Sequence, residues 1–199
     1  MNQSQLLTLF KESGAYLTGH FILTSGLHAD TYLQCAKVLM HPEKSETICK
    51  ALKKKITDEF GKNAFDIVVS PAMGGVIVGY ELARCLKLPT IFCERVDGKF
   101  ALRRGFSIEK NAKVLIVEDV VTTGKSSLET IECIEAHGGK VIAEASIINR
   151  NLNNPLPIPL VSLANLEIKT YEANNLPAHL KNLPAVKPGS RNLKPEAGS

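Results

Sequence analysis

The 199-residue sequence contains no apolar run close to the roughly 20 residues that a helix needs to cross a lipid bilayer. Its first residues, MNQSQLLTLFKESG, lack the basic stretch followed by an apolar core that marks a secretory signal. Internal repeats and low-complexity tracts are missing as well. We therefore expect a cytoplasmic protein that has no membrane partner.

A strong excess of charge is also missing, because 24 basic and 20 acidic residues leave a net charge of +4. This mild positive charge suits small anionic substrates, and without a dense basic stripe we expect no nucleic-acid partner. Apolar residues make up 44% and charged residues 22% of the chain, which excludes a mainly disordered protein. The length predicts a single structural domain.

The five cysteines are odd in number and widely spaced, and no two of them form a CxxC pair. Such spacing argues against both a disulfide framework and a zinc site. Buried thiols in a reducing cytosol are the favoured interpretation. The cysteines are Cys35, Cys49, Cys85, Cys93 and Cys133.

Prolines are absent between residues 90 and 154, whereas seven of the ten lie after residue 154. Within that interval, and shortly before it, short apolar runs alternate with helical patterns. Strands are predicted over 66–70, 90–93, 114–117 and 141–148, and helices over 42–60, 75–86 and from Ser126 to Gly138. This alternation predicts an α/β fold with a doubly wound, mainly parallel sheet. Short strands over 16–36 precede this core, and the Pro- and Asn-rich residues 151–199 are expected to form a cap and a tail.

One segment, VLIVEDVVTTGKSS over residues 114–127, carries most of the chemical information. A buried strand ends in two acids, Glu118 and Asp119, and a Thr/Gly loop then leads into a helix. Ligands of open α/β sheets bind at the carboxyl ends of the strands, and helix N-termini bind phosphate. Acids suit sugar hydroxyls or hydrated magnesium instead. These features predict a sugar-phosphate site; the alternative is a strand that ends in solvated carboxylates before an ordinary helix cap.

The loop itself adds donors for a phosphate. Hydroxyl groups come from Thr122, Thr123, Ser126 and Ser127, and Gly124 lets the backbone approach closely. Ser126 and Glu129 have the spacing of a capping box, which predicts the helix start. The Gly-Lys-Ser triplet at 124–126 is similar to the end of a P-loop, but that motif needs a glycine five positions earlier, where this chain has Asp119.

The segment VLIVEDVVTTGKS resembles the phosphoribosyl-pyrophosphate (PRPP) motif of the type I phosphoribosyltransferases, with four apolar residues, two acids and a Thr/Gly/Ser loop. Three further segments resemble the orotate phosphoribosyltransferases of that group: GHFILTSGLHADTYLQ (19–34), ERVDGKFALRRGF (94–106), and Asn149-Arg150 with PAVKPGSR (184–191). The resemblance spans residues 12–191. It implies a type I phosphoribosyltransferase fold with a small hood, divided into a hood segment 1–40, a PRPP-binding core 41–155 and a cap and tail 156–199.

The resemblance also implies an activity and a site. The activity is a magnesium-dependent transfer of ribose 5-phosphate from PRPP to orotate, which gives orotidine 5′-monophosphate and pyrophosphate in pyrimidine biosynthesis. The implied PRPP-binding residues are Ala72, Met73, Gly74, Arg95, Lys99, Glu118, Asp119, Val120, Val121, Thr122, Thr123, Gly124, Lys125 and Ser126. The implied orotate-binding residues are Tyr32, Leu33, Thr122 and Arg150. The resemblance further implies that Mg²⁺ is held mainly by PRPP, and that Glu118 and Asp119 hold the ribose hydroxyls either directly or through magnesium and water.

The basic segment 94–104 allows two interpretations. Without the resemblance, it is a solvated hairpin. The resemblance instead implies a mobile lid that reaches the pyrophosphate of the neighbouring subunit in a homodimer, with Arg95 and Lys99 as catalytic residues beside Asp119. The lid would neutralise charge on the departing pyrophosphate and exclude water.

The chain departs at several positions from the pattern of the family that it resembles. Thr24 and Gly74 stand where many orotate enzymes have lysine, and Leu33 stands where many have an aromatic residue. The usual lid histidine has no counterpart, and none of His20, His28, His41, His137 and His179 is assigned a catalytic role.

Three other functions are compatible with parts of this sequence. A purine phosphoribosyltransferase would share the PRPP motif, but the segment 19–34 and Arg150 argue against it. A nucleotide-sensing regulator on the same scaffold would need a basic stripe or a DNA-reading helix pair. A non-catalytic PRPP-binding protein would show no turnover.

Overall fold

A computed structural model describes residues 1–23, 25–151, 153–154 and 156–188. In chain order the elements are α1 (Gln3–Glu12), β1 (Tyr16–Ile22), β2 (His28–Leu33), α2 (Cys35–Leu39), α3 (Pro42–Phe60), β3 (Ile67–Pro71), α4 (Gly74–Leu86), β4 (Thr90–Val96), β5 (Lys99–Leu102), β6 (Lys113–Val121), α5 (Lys125–Ala136), β7 (Lys140–Asn149), β8 (Leu160–Asn165), β9 (Thr170–Tyr171), α6 (Ala178–Lys181) and β10 (Ala185–Val186).

The chain divides into two compact units. The first comprises Met1–Ala15 and Cys35–Glu167, and the second comprises Tyr16–Gln34 and Ile168–Ser199. Helix α1 and strand β8 belong to the first unit, although the expected boundaries put α1 in the hood and β8 in the cap. Strand β8 pairs with β7, so part of the Pro-rich C-terminal region completes the central sheet.

The first unit contains a six-stranded sheet in the order β5-β4-β3-β6-β7-β8. All neighbouring strands are parallel except the β4–β5 hairpin. This arrangement confirms the predicted α/β class with a mainly parallel sheet. From β3 the chain crosses through α4 to β4, and from β6 it crosses through α5 to β7, so the two connections run toward opposite sides of the sheet. Because such crossovers are right-handed, α4 and α5 lie on opposite faces.

An apolar cluster packs beneath α5 and fixes that helix to the sheet. Its buried members are Val69, Ile91, Ile108, Val114, Ile116, Ile131 and Ile134. Fully burying one aliphatic side chain contributes roughly 1.5–3 kcal/mol, so the cluster anchors the helix firmly. The start of α5 is thereby held at the carboxyl end of β6.

The predicted capping box at the start of α5 is wrong. The helix begins at Lys125, with Gly124 as its N-cap in the left-handed region at φ 76°, and no side chain caps it. Ser126 is therefore already inside the first turn, and its carbonyl accepts a hydrogen bond from Thr130 Oγ1. Glu129 instead forms an ion pair with Arg95.

The second unit is built on a four-stranded sheet in the order β10-β1-β2-β9. His20 and His28 lie in β1 and β2, and their Nε2 and Nδ1 atoms are 2.6 Å apart. The Nδ1 of His20 is 3.1 Å from the carbonyl oxygen of Leu183, which ties the C-terminal segment to β1. Across the described ranges, no helix combines the length and the apolar character that a membrane crossing requires.

Helix α4 approaches the sheet through glycine, and this approach can be tested. A Cβ on Gly75 would lie 2.7 Å from the carbonyl oxygen of Val117 and 2.8 Å from Oε2 of Glu118. A backbone carbonyl cannot rotate away, so Gly75→Ala should lower the free energy of unfolding by about 1–3 kcal/mol. Urea unfolding would measure the loss, and an unchanged midpoint would contradict this close packing.

Candidate functional site

The candidate site lies where the carboxyl ends of β3 and β6 meet. These two strands are neighbours, and the chain turns away from them in opposite directions, which makes their junction the switch point of the sheet. Ligands of doubly wound folds bind at such a point. Each strand leads directly into a helix, β3 into α4 and β6 into α5.

Both helices begin without a side-chain cap. Met73 is the N-cap of α4 and Gly124 the N-cap of α5, and neither helix receives a capping hydrogen bond from a side chain. The first four N–H groups of a helix have no partner within it, and they carry a partial positive charge. Two uncapped helix starts at one sheet edge therefore offer two places for anionic groups.

The two acids lie against the start of α4. Strand β6 continues to Val121, so Glu118 and Asp119 are part of the strand and do not follow it. A Cβ on Gly74 would lie 2.8 Å from Oδ1 of Asp119, which shows how closely the carboxylate approaches the helix backbone. The same Oδ1 accepts a hydrogen bond from the amide of Val120 at 2.9 Å.

Burial makes the acid pair electrostatically unfavourable when both carboxyls are charged. It raises the pKa of Glu118 well above its ordinary value, and the charges of Asp119 and Glu144 raise it further. Burial also raises the pKa of Asp119, although hydrogen bonds from backbone amides partly oppose the shift. Within the described residues, Oε2 of Glu118 is buried without a hydrogen-bond partner. A bound group that donates hydrogen bonds or carries positive charge would relieve this strain.

The predicted phosphate loop is open to solvent on one side. Thr122, Thr123 and Lys125 are exposed, Ser126 is half-buried and Gly124 is buried. The Oγ1 of Thr123 accepts a hydrogen bond from the amide of Lys125 at 3.4 Å. Val120 is half-buried and Val121 is 2% exposed, so the loop is anchored at its strand end.

The predicted pyrophosphate loop joins β3 to α4. The amide of Ala72 donates to the carbonyl oxygen of Cys93 at 2.8 Å, and the Ala72–Met73 peptide bond is cis. The Met73 side chain is exposed. Gly74, where many orotate enzymes have lysine, leaves room for the carboxylate of Asp119.

Arg150 directly follows the end of β7, the strand that pairs with β6. Its amide donates to the carbonyl oxygen of Val121 at 2.8 Å, which joins it to the strand end that enters the phosphate loop. Its side chain is half-buried. Arg150 and Thr122 therefore follow the carboxyl ends of two neighbouring strands, and their predicted contact with orotate stays a prediction.

Residues 94–104 form a regular hairpin. Asp97 and Gly98 connect β4 to β5 with φ values of 48° and 83°, the combination that a type I′ turn requires. Arg95 pairs with Glu129, donates to the carbonyl oxygen of Gly98 at 2.8 Å, and lies 4.2 Å from the centroid of the Phe100 ring.

Two other basic residues of the hairpin differ in their contacts. Arg104 forms two hydrogen bonds to Glu94, at 2.7 and 3.0 Å, and these bonds lower the pKa of that carboxyl. Lys99 is exposed, and its ammonium group makes no hydrogen bond or ion pair with any residue that the structure describes. Lys99 is thus available to a ligand, whereas Arg95 must first leave Glu129.

Tyr32 and Leu33 lie in β2 of the second unit. The ring of Tyr32 is 5.8 Å from that of Phe21, and Leu33 is 7% exposed. Their predicted contact with orotate stays a prediction. Thr24 lies outside the described residues.

Sequence reasoning missed three residues around the acids. Gly75 lacks a side chain and thereby lets the carboxylate of Glu118 lie close to the helix backbone. Burial raises the pKa of the Cys35 thiol, and the negative charges of Asp119 and Glu118 raise it further. Glu144 is the third, since its charge acts on Glu118. The adjacent glycines at 74 and 75, which follow a predicted strand, indicate that the backbone packs closely against a neighbouring element. No local pattern in the sequence indicates a role for Cys35 or Glu144.

Comparison with known proteins identifies the family to which the chain belongs. Residues 37–158 match the model of the Phosphoribosyl transferase domain. The chain is 49% identical to the orotate phosphoribosyltransferase of Sphingopyxis alaskensis, covering 97% of this chain and 99% of that protein, and 48% identical to that of Bartonella tribocorum, covering 97% and 100%. It also resembles the crystal structure of orotate phosphoribosyltransferase from Aeropyrum pernix, with a TM-score of 0.66 and 25% identity over 81% of this chain and 93% of that one.

Proposed function

Since the chain belongs to the orotate phosphoribosyltransferase family, within the phosphoribosyl transferases, we propose that the switch point between β3 and β6 binds PRPP and transfers its ribose 5-phosphate to orotate. The products are orotidine 5′-monophosphate and pyrophosphate, and the reaction belongs to pyrimidine biosynthesis. The observation that carries this site assignment is the pair of uncapped helix starts that flank two half-buried acids whose pKa values are raised. PRPP has the matching layout, with an anionic group at either end of a ribose.

Each end of PRPP has its own set of residues in this proposal. The loop from Val120 to Ser126 and the start of α5 take the 5′-phosphate through backbone amides and hydroxyls. Ala72, Met73 and Gly74, at the start of α4, take the pyrophosphate. Between them, Glu118 and Asp119 accept hydrogen bonds from the ribose hydroxyls.

The acid pair also fits a magnesium ion that arrives with the substrate. Mg²⁺ prefers oxygen ligands, keeps several waters, and is usually bound by one or two carboxylates together with substrate phosphates. Among the described residues, no group of three or more His, Cys, Asp or Glu side chains is arranged to hold a metal ion. In this proposal PRPP holds the ion, and Glu118 and Asp119 reach it through water. When bound, the ion supplies positive charge to the leaving pyrophosphate.

The remaining chemistry needs no protein nucleophile. The bond between the anomeric carbon and pyrophosphate breaks toward an oxocarbenium-like state, as in other glycosyl transfers, and a ring nitrogen of orotate attacks. Negative charge grows on the pyrophosphate, where Lys99, and Arg95 once released from Glu129, would stabilise it. Water must be excluded, because PRPP would otherwise hydrolyse.

We further propose that the protein acts as a homodimer whose hairpin 94–104 serves the neighbouring subunit. Helix α4 and its N-cap present an exposed apolar face with residues at helical spacing, namely Met73, Ile77 and Tyr80, which are 80%, 50% and 63% exposed. Such a contiguous face is typical of a protein contact.

The free thiols of all five cysteines support the proposed cytoplasmic location, since disulfides are rare there.

The proposal is tested by following orotate absorbance with PRPP and Mg²⁺ present. We expect orotate consumption and release of one pyrophosphate for each orotate consumed. A panel with adenine, guanine and hypoxanthine is the control, and preference for a purine would overturn the assignment of orotate. Absence of turnover with every base would overturn the proposed reaction.

Replacing Arg150 with alanine should weaken orotate binding far more than PRPP binding. A guanidinium pairs well with a planar carboxylate, and a charged hydrogen bond contributes about 1.5–3 kcal/mol, so the affinity for orotate should fall roughly ten- to a hundredfold. Separate KM values for the two substrates measure the effect. Equal losses for both substrates would mean that Arg150 has a structural role.

A further inference from the structure

Glu144 is a fully buried acid that the proposed reaction does not use. It lies in the middle of β7, opposite Ile116 of β6 and Leu160 of β8, and its relative exposure is 0%. A charged carboxylate at such a position costs several kcal/mol unless it is paired. No basic side chain forms an ion pair with it among the described residues, so its cost must be offset in another way.

The hydrogen bond of Glu144 leads to the phosphate loop. Ser127 Oγ donates to Oε1 of Glu144 at 2.8 Å, and Ser127 is itself 2% exposed. Ser127 is the third residue of α5 and follows the predicted loop 120–126 directly. This bond ties β7 to the first turn of the helix that should receive the 5′-phosphate.

Within the part of the chain that the structure describes, the second carboxyl oxygen of Glu144 has no partner that would stabilise its negative charge. Oε2 is buried and has no hydrogen-bond partner among the described residues. Burial raises the pKa of Glu144 to about 7, with the bond from Ser127 opposing the shift. The charge of Glu144 in turn raises the pKa of Glu118. Ser127 on α5 and Glu118 on β6 are therefore both affected by the protonation of this carboxyl.

We propose that Glu144 is a positioning residue that holds the first turn of α5 through Ser127, and that phosphate binds more tightly while Glu144 is neutral. This inference rests on the proposed function in one respect, because it takes the anion to be the 5′-phosphate of PRPP. An ionised Glu144 would add negative charge beneath the helix start and beside Glu118, and it would oppose an incoming phosphate. Affinity for the phosphate group should therefore fall as the pH rises through neutrality.

The free energy of unfolding should also decrease as the pH rises toward neutrality. The folded protein keeps the Glu144 proton up to about pH 7, whereas the unfolded chain releases it near the ordinary value of a glutamate. The folded state therefore binds more protons between these two values, and this contribution to the free energy of unfolding decreases as the pH rises through that window. It is lost completely above pH 7.

Calorimetric titration with ribose 5-phosphate tests the proposal without requiring turnover. The full-length protein and its Glu144→Gln variant are compared at about pH 6 and about pH 8.5, on either side of the titration. Glutamine keeps an acceptor for Ser127 but cannot ionise. Titration of the ligand's own phosphate affects both proteins equally, so it cancels from the comparison.

We expect similar affinities of the two proteins at the lower pH and about tenfold tighter binding by Glu144→Gln at the higher pH, as one unit charge near the phosphate would produce. Ser127→Ala should weaken binding at both pH values, whereas Ser162→Ala, which removes another buried hydroxyl contact, should not. Identical pH dependence in wild type and Glu144→Gln would overturn the inference, and so would unchanged binding by Ser127→Ala if Glu144→Gln does not fold. The expected pH dependence without any orotate turnover would refute the proposed reaction alone.

Discussion

The Asp119→Asn variant should fold normally and lose most of its turnover. The carboxylate lies against the backbone of Gly74 at the proposed ribose position, and Asp119 is not a member of the apolar cluster beneath α5. Asparagine keeps an oxygen that accepts the hydrogen bond from Val120 but loses the negative charge. Removing one preorganised electrostatic contact from a transition state typically lowers kcat by about 10²–10³, and we expect a loss of that size.

Thermal unfolding and steady-state kinetics on the same samples separate the two effects. Burial raises the pKa of Asp119, so removing the charge should leave the melting temperature unchanged or slightly higher. Asp66→Asn is a matched control, because Asp66 precedes β3 at the opposite edge of the sheet and its Oδ2 accepts a hydrogen bond from the amide of Lys113. Normal turnover by Asp119→Asn would remove the acidic pair from the proposed mechanism.

The elements that sequence predicted well are those defined by local signals. Helix α3 runs over Pro42–Phe60 as expected, because a proline begins it and apolar residues recur at every fourth position. Strand β4 extends to Val96, three residues beyond the prediction, because β5 pairs with it across a turn. Strand β8 was missed for a similar reason, since pairing with β7 overrides the prolines around it.

The candidate site likewise combines features that a local sequence signal predicts with contacts that depend on tertiary packing. The acids, the loop and the helix start are contiguous in the chain, so their combined chemistry could be read from 14 residues. The contact between Gly74 and Asp119 joins the first residue of α4 to a residue of β6 and depends on how closely the helix packs against that strand. The bond between Ser127 and Glu144 likewise depends on the packing of α5 on β7. No pattern along the sequence encodes either distance.

The hairpin 94–104 raises a question that single variants cannot answer, namely which subunit's pocket it serves. Lys99 is the better probe, because Arg95 already pairs with Glu129 of its own chain and its removal would disturb that contact. Lys99→Ala changes an exposed side chain whose ammonium group makes no hydrogen bond or ion pair with a described residue, so the pocket should remain intact. A Lys99→Ala subunit would then have a sound pocket and a faulty lid, and an Asp119→Asn subunit would have the reverse.

Mixing the two inactive variants under conditions that exchange subunits should restore activity. If the hairpin acts across a dimer interface, each mixed dimer has one complete site, formed by the pocket of the Lys99→Ala subunit and the lid of its partner. Random exchange makes half of the dimers mixed, and one site in two is then functional, so activity should recover to roughly a quarter of the wild-type value. Mass spectrometry of the intact assembly verifies exchange, and each variant mixed with itself is the control. Proven heterodimers without recovery would show that the hairpin does not act across the interface, and the pairing of Arg95 with Glu129 would then be the starting point for a lid that serves its own pocket.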